Sequence, residues 1–181
     1  QAQALARVHS GQADIAVFVD SGPRPVLRRI AWTREFELTY PVVVGRDARA
    51  IKSVADLAGR TIAVRRHSAL EQRAVEWRDR LGGELNILRL DPVISEQEIA
   101  RRAASRRIDL ALMDQRRARL EAAVFRPLEV STELGPAMPI RWAVRDNAGL
   151  LRDTISSWID DFVASGQFAR LEKQYVENPL R

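Results

Sequence analysis

A serine and a glutamate three residues apart, Ser68 and Glu71, follow a short strand-like run, Thr61–Val64. The Ser-x-x-Glu spacing predicts a capping box, in which these side chains bind the first N–H groups of a helix. A helix that begins at the carboxyl end of a strand presents free N–H groups and a partial positive charge, which suit an anion. Arg66 and His67 lie directly before the serine, so residues 66–68 are predicted to form a ligand-binding turn.

His67 is the side chain of this turn that could change charge near neutral pH, as a base, a pH sensor or a solvated loop residue. The residue patterns needed for metal binding, nucleophilic catalysis or nucleotide binding do not occur in the chain. The chain has no cysteine, and its two histidines do not occur in a metal-binding spacing. The glycine and serine patterns of a nucleophile elbow, a phosphate-binding loop and a dinucleotide-binding loop do not occur either. We therefore expect no catalytic residue, no metal and no cofactor.

Hydrophobic spacing and turn residues predict alternating strands and helices along the chain. Ser53 with Asp56 and Ser95 with Glu98 repeat the capping signal, and Asn147 is placed to cap a later helix. We predict strands at 14–19, 30–32, 41–44, 61–64, 85–90, 108–113, 128–130 and 140–144. We predict helices at 2–10, 53–58, 69–81, 96–106 and 115–123, followed by two more helices after residue 147.

The composition is that of a globular protein, with 181 residues, 46% hydrophobic residues and a net charge of +5. Arginine accounts for 27 of the 29 basic residues. Genome base composition is a sufficient cause of this bias, since lysine and arginine serve equally on most solvated surfaces. Arginine pairs such as Arg101–Arg102 could also mark a nucleic-acid surface, but acidic residues lie beside them and no aromatic ladder accompanies them. Nucleic acid is therefore not an expected partner.

Four segments, taken in order, resemble the motifs of the type 2 periplasmic binding-protein fold, the two-lobed fold of the family 3 solute-binding proteins. They are Gly11–Ala16, Asp56–Val64 (DLAGRTIAV), Ile108–Asp114 and Ser165–Tyr175, and the resemblance covers almost the whole chain. Within that group, three shorter segments look most like the sensor-like domain of the membrane-bound lytic murein transglycosylases of the F type. These are Val43–Arg46, Ala63–Ser68 and Arg141–Arg145.

The resemblance implies a ligand site in a cleft. In amino-acid-binding members, a hydroxyl-bearing turn and an acid at the end of a strand hold the ligand's carboxylate and ammonium groups, and these positions match Ser68 and Asp114. Each residue also has a structural role open to it, as a cap of the helix that follows. In the family, an arginine of the first lobe also holds the ligand's carboxylate, and the matching position here is Val26. Arg24 is a candidate substitute for that arginine, as are the arginines at 28 and 29. Trp142 could line the cleft or belong to the core.

The predicted order assigns residues 1–44 and 138–181 to a first lobe and residues 45–137 to a second. Family members begin the first lobe with a strand, a helix and another strand that have no counterpart here. We therefore expect an α/β, two-lobed periplasmic binding protein-like fold whose first lobe is incomplete at its N-terminus.

The resemblance implies a periplasmic, non-enzymatic domain that binds or senses a small ligand. We expect the regulatory part of a lytic murein transglycosylase-like protein, whose full-length form could be associated with the outer membrane or carry a catalytic domain. The expected ligand is anionic or zwitterionic, such as an amino acid or a muropeptide fragment. The solute-binding component of an amino-acid transporter and the ectodomain of a sensor kinase remain alternatives.

Overall fold

A computed structural model describes residues 2–19 and 29–177 of this protein, and its elements fall into two compact units. Residues up to Thr39 and Met138–Tyr175 form the first unit, and Tyr40–Ala137 form the second. The strands are β1 (Ala16–Val19), β2 (Ile30–Trp32), β3 (Glu37–Thr39), β4 (Pro41–Gly45), β5 (Thr61–Arg65), β6 (Asn86–Leu90), β7 (Leu110–Asp114), β8 (Glu129–Val130) and β9 (Met138–Arg145). The helices are α1 (Ala2–Ser10), α2 (Ala69–Arg80), α3 (Glu96–Ala104), α4 (Gln115–Val124), α5 (Gly149–Ala164) and α6 (Gln167–Glu172). Strands and helices alternate from β5 to α4, and the predicted α/β class is confirmed.

The first unit contains an antiparallel sheet with β9 at its centre. Strand β1 pairs with β9 on one side, and β2 and β3 pair with it one after the other on the opposite side. Leu5 and Val8 of α1 pack with Ala143, and Ile155 and Ile159 of α5 pack with Val144. Because neighbouring residues of β9 point to opposite faces, both faces of this sheet are covered.

The second unit contains a five-stranded sheet in the order β6-β5-β7-β4-β8. Strand β5 is parallel to β6 and β7, whereas β4 runs antiparallel to β7 and β8. One face of the sheet packs with Ala74 and Trp77 of α2, and the other packs with Ile99 of α3 and Ala118 of α4. Burial on both faces explains why the inner strands β4, β5 and β7 are nearly continuous apolar runs.

Strand β4 corrects the predicted division of the chain. Residues 1–44 are predicted to belong to the first lobe, but Val42 lies opposite Met113 and Val44 lies opposite Ala111 in the second sheet. All five residues of β4 are buried there. A β-branched run of this kind fits the centre of either sheet, so only tertiary pairing decides which one it joins.

The predicted helix starts at Ser53 and Ser95 are confirmed. The Asp56 carboxylate accepts the Ser53 N–H at 2.8 Å before a short 3₁₀ turn, Val54–Leu57, and Ser95 Oγ accepts the Glu98 N–H at 3.1 Å. The prediction for Asn147 is wrong, because α5 begins at Gly149 after Ala148 and has no side-chain cap. Among the described residues, no helix is both long and apolar enough to cross a membrane.

Candidate ligand-binding site

The three parallel strands of the second sheet end side by side. Strands β5, β6 and β7 finish at Arg65, Leu90 and Asp114, and the Arg66 N–H donates to the Leu90 carbonyl at 3.1 Å. We call this end of the sheet the carboxyl edge. Open α/β sheets bind their ligands at this edge, where helices begin and side chains converge. Four predicted site residues, Arg66, His67, Ser68 and Asp114, lie on it.

Ser68 caps α2 as predicted. Its Oγ accepts the Glu71 N–H at 3.2 Å and donates to the Arg65 carbonyl at 2.7 Å. The Glu71 carboxylate accepts the His67 N–H at 2.7 Å and binds Arg89 Nε at 2.8 Å. Burial acts to raise the pKa of Glu71, but the His67 N–H and the Arg89 guanidinium together hold it below its ordinary value. Glu71 therefore stays ionised and fixes the turn before the helix.

The backbone of His67 is unusual in this turn. Its φ angle is 57°, in the left-handed region that costs an L-residue about 1–2 kcal/mol. Arg106, at the other end of the sheet, is the second non-glycine residue in this region among the described residues, with a φ of 59°. Both side chains are exposed. His67 is thus held in a strained conformation with its ring presented at the carboxyl edge.

Replacing His67 with glycine should remove this strain. We expect the free energy of unfolding to rise by about 0.5–1 kcal/mol, because the relief of strain exceeds the added backbone entropy of glycine. Arg106→Gly is a matched control, since it should give a similar gain and loses only an exposed ion pair with Asp47 at 3.7 Å. Chemical denaturation of both variants measures the gains. A loss of stability in His67→Gly alone would mean that the imidazole makes a structural contact.

Asp114 ends β7 and caps α4. Its Oδ1 accepts the Arg117 N–H at 3.0 Å, so the structural role considered from the sequence is confirmed. One carboxylate oxygen is enough for this cap, which leaves the residue's charge available at the carboxyl edge. An ionised carboxylate in this place suits an ammonium or guanidinium group.

Two ion pairs surround Asp114. Arg65 binds Glu96 at 2.7 Å, and Arg117 binds Glu121 at 2.5 Å. Glu121 is only 3% exposed, so its partner is needed to offset the cost of burying its charge. Burial raises the pKa of Glu96, against the opposing effect of Arg65, and the negative charge of Asp114 raises it further.

Arg65 and Glu96 are not among the site residues predicted from the sequence. Their signals were an arginine as the last residue of a parallel strand and a second acid in the first turn of α3. Both signals become meaningful only when β5 and α3 are known to be neighbours.

Trp142 lies elsewhere, on β9 of the first unit. Its ring meets Phe36 edge to face, with centroids 6.3 Å apart, and lies 6.0 Å from the ring of Trp158. The indole N–H is buried and has no hydrogen-bond partner among the described residues. Trp142 therefore packs in an aromatic cluster of the first unit. Arg24, the remaining predicted site residue, lies outside the described residues.

The carboxyl edge offers hydrogen-bonding and charged groups but no metal ligand set. Among the residues that the structure describes, no three histidine or acidic side chains are grouped so that they could hold a metal ion. An acid at this edge suits a cation, and a capped helix start with flanking Arg66 and His67 suits an anion.

Comparisons with solved structures identify the fold as that of the amino-acid-binding periplasmic proteins. An amino-acid transporter substrate-binding protein from Streptococcus pneumoniae, bound to L-arginine, matches with a TM-score of 0.79 and 14% identity, over 98% of this chain and 73% of that one. The GluR0 ligand-binding core in complex with L-glutamate matches with a TM-score of 0.77 and 17% identity, over 95% of this chain and 76% of that one. The predicted fold is confirmed.

In sequence, the chain is similar to the membrane-bound lytic murein transglycosylase F of Desulfosudis oleivorans. The two are 27% identical over 135 residues, which is 74% of this chain and 29% of that protein. The chain therefore spans less than a third of the length of this relative. No protein-family model matches the chain. The predicted resemblance to family 3 solute-binding proteins and to F-type transglycosylases is confirmed by these similarities.

Proposed function

We propose that this chain is a non-enzymatic domain that binds a small zwitterionic ligand, an L-amino acid or a muropeptide-like molecule, at the carboxyl edge of its second unit. The single observation that carries the proposal is the placement of Ser68 and Asp114 at the ends of neighbouring parallel strands. The ligand's carboxylate would lie at the start of α2, and its ammonium group would lie at Asp114. The partial positive charge at the start of α2 and the carboxylate of Asp114 would match the two ends of a zwitterion.

The solved structures with this fold support the class of ligand. Two of them hold L-arginine and L-glutamate, which share an α-carboxylate and an α-ammonium group and differ in the side chain. An amino acid is therefore the first ligand to test. Arg66 and His67 are exposed within the turn, where they could contact the part of the ligand that varies.

The similarity to lytic murein transglycosylase F supports a role in a larger protein. We propose that the chain acts in the periplasm as the regulatory part of a transglycosylase-like protein, which could be held at the outer membrane. In that role, ligand binding would report the presence of cell-wall fragments or amino acids to a separate catalytic domain.

A second candidate function is the solute-binding component of an amino-acid transporter. It is favoured by the fold match to a substrate-binding protein of an amino-acid transporter, with a TM-score of 0.77 over 96% of this chain and 75% of that one. An ectodomain of a sensor kinase would use the same fold. Both alternatives predict the same ligand site and differ in what the domain is attached to.

A thermal-shift panel tests the proposed ligand class. We expect at least one of L-arginine, L-glutamate, L-glutamine and a soluble muropeptide to raise the melting temperature of the chain, because a ligand that binds only the folded state stabilises it. Glycerol and sodium sulfate are controls for nonspecific effects. No shift with any zwitterion, or an equal shift with sulfate alone, would contradict an amino-acid site.

A murein-clearing assay tests the non-enzymatic part of the proposal. We expect the purified chain to leave the turbidity of a murein suspension unchanged, because its sequence contains no acid-bearing transglycosylase signature. A lysozyme sample run in parallel shows that the substrate can be cleaved. Clearing by this chain that persists through repeated purification would contradict the proposal.

A further inference from the structure

Glu96 begins α3, and its carboxylate binds the last residue of β5. The distance between Glu96 Oε1 and Arg65 Nη2 is 2.7 Å. We propose that Glu96 is a positioning residue for the ligand-binding turn and that it acts on Arg66–Ser68 through Arg65. The inference rests on the proposed function of that turn, and it adds a residue from a different helix to the site.

A continuous set of contacts joins Glu96 to the start of α2. The Arg65 side chain binds the Glu96 carboxylate and donates from Nη1 to the Ile94 carbonyl at 3.4 Å. The Arg65 carbonyl in turn accepts the Ser68 hydroxyl at 2.7 Å and the Ser68 N–H at 3.4 Å. Arg65 is thus fixed through its side chain by α3 and through its backbone by the cap of α2.

A neighbouring glutamate shows what a purely local ion pair looks like. Glu98 also lies in the first turn of α3, and it binds Arg101 and Arg102 at 2.7 Å each, both on the same helix. Glu96 instead reaches from α3 to a different element, β5. A long-range, partly buried pair restricts the residues that it joins, whereas the Glu98 pairs restrict only α3.

The charges around Glu96 make this contact sensitive to pH. It faces Arg65 on β5, Asp114 on β7, and Arg117 and Glu121 on α4. Burial raises the pKa of Glu96; Arg65 opposes this effect and Asp114 adds to it. As the pH falls, Glu96 therefore takes up its proton earlier than an ordinary glutamate. The Glu96 carboxyl group is then neutral, and its interaction with Arg65 is weaker than the ion pair was. We therefore expect the conformation of residues 66–68 to be restrained less strongly.

Hydrogen exchange of the free chain tests the positioning without any ligand. We expect Glu96→Gln to speed amide exchange about fivefold or more at His67 and Glu71, whose N–H groups are bonded within the turn. Glu98→Gln is the matched control, and it should leave these amides unchanged. Equal exchange at His67 and Glu71 in the unmodified chain and in Glu96→Gln would overturn the inference, even if the proposed ligand site is correct.

Ligand affinity gives the second test, with L-arginine and L-glutamine as probes in calorimetric titrations. We expect Glu96→Gln to bind about threefold to tenfold more weakly at about pH 7.5, and Glu98→Gln to bind normally. The affinity of the unmodified chain should fall as the pH is lowered to about 5, whereas that of Glu96→Gln should change little. Histidine side chains titrate in the same range, so the profiles are repeated with His67→Gln in both backgrounds.

The outcomes separate the inference from the proposed function. No binding of either probe by the unmodified chain would count against the amino-acid ligand, while the exchange experiment would still decide the positioning role. An affinity that rises at low pH, or equal pH profiles in the unmodified chain and Glu96→Gln, would overturn the role of Glu96. The double variant, Arg65→Gln with Glu96→Gln, should bind the probe with the affinity of whichever single variant binds it more weakly. Additive losses of binding free energy would contradict the inference that Glu96 acts through Arg65.

Discussion

Replacing Asp114 with asparagine is expected to lower the affinity for an amino-acid ligand by about tenfold or more and to leave the melting temperature of the free chain nearly unchanged. Asparagine is as good a helix cap as aspartate, so the bond from the Arg117 N–H to the side-chain oxygen can persist. The charge is lost, and a charge-assisted bond to an ammonium group is lost with it. Calorimetric titration and a thermal melt measure the two effects.

Asp109→Asn is the matched control for this prediction. Asp109 directly precedes β7, at the end opposite Asp114, and its carboxylate lies 3.9 Å from Arg60 Nε on the surface. Removing this charge should change neither affinity nor stability appreciably. Equal affinities of the unmodified chain and Asp114→Asn would remove Asp114 from the site. A large fall in melting temperature would assign the residue to structure instead.

Replacing Gly45 with alanine is expected to cause a large loss of stability, about 3 kcal/mol or more. A Cβ atom built on Gly45 would lie 2.5 Å from the carbonyl oxygen of Asp109 and 2.9 Å from Leu110 Cδ2. Backbone atoms of a central strand cannot move aside cheaply, so the methyl group would push β4 away from β7. For a chain of this size, the melting temperature should fall by on the order of 10 °C.

Gly149→Ala provides the contrast. A Cβ atom on Gly149 would meet nothing within 4 Å, and the residue is the first of α5. Alanine there should be neutral or stabilising by up to about 1 kcal/mol, because glycine loses more backbone entropy on folding. A mild effect of Gly45→Ala, comparable to that of Gly149→Ala, would mean that β4 and β7 are less tightly packed than the structure describes.

Features of the fold that depend on local chemistry were predictable from the sequence. Ser53, Ser68 and Ser95 cap their helices, because a hydroxyl followed by an acid three residues later satisfies N–H groups within one turn. The strand β5 was predicted from its short apolar run, and the start of the helix after it was predicted from the cap at Ser68. The position of the helix start at the carboxyl end of the strand then followed from the order of these two features along the chain.

Features that depend on tertiary contact were not predictable. Nothing local in the run Pro41–Gly45 selects the second sheet, and the pairing with β7 decides it. The Arg65–Glu96 pair joins residues 31 positions apart and could not be found before β5 and α3 were known to be neighbours. The failed cap at Asn147 is a milder case, since Ala148 takes the N-cap position and α5 begins one residue later than predicted.

The location of the bound ligand is the central claim, and amide chemical shifts measured during a titration with L-arginine or L-glutamate test it most directly. The largest shift changes should appear over Arg66–Leu70 and Asp114–Arg117, at the carboxyl edge of the second unit. The Asp109 amide, at the opposite end of β7, should barely move. Arg34 and Ser156 line a cavity of the first unit, where the Arg34 N–H donates to Ser156 Oγ at 3.2 Å. Saturable shifts that avoid both carboxyl-edge segments and concentrate around this cavity would contradict the proposed site.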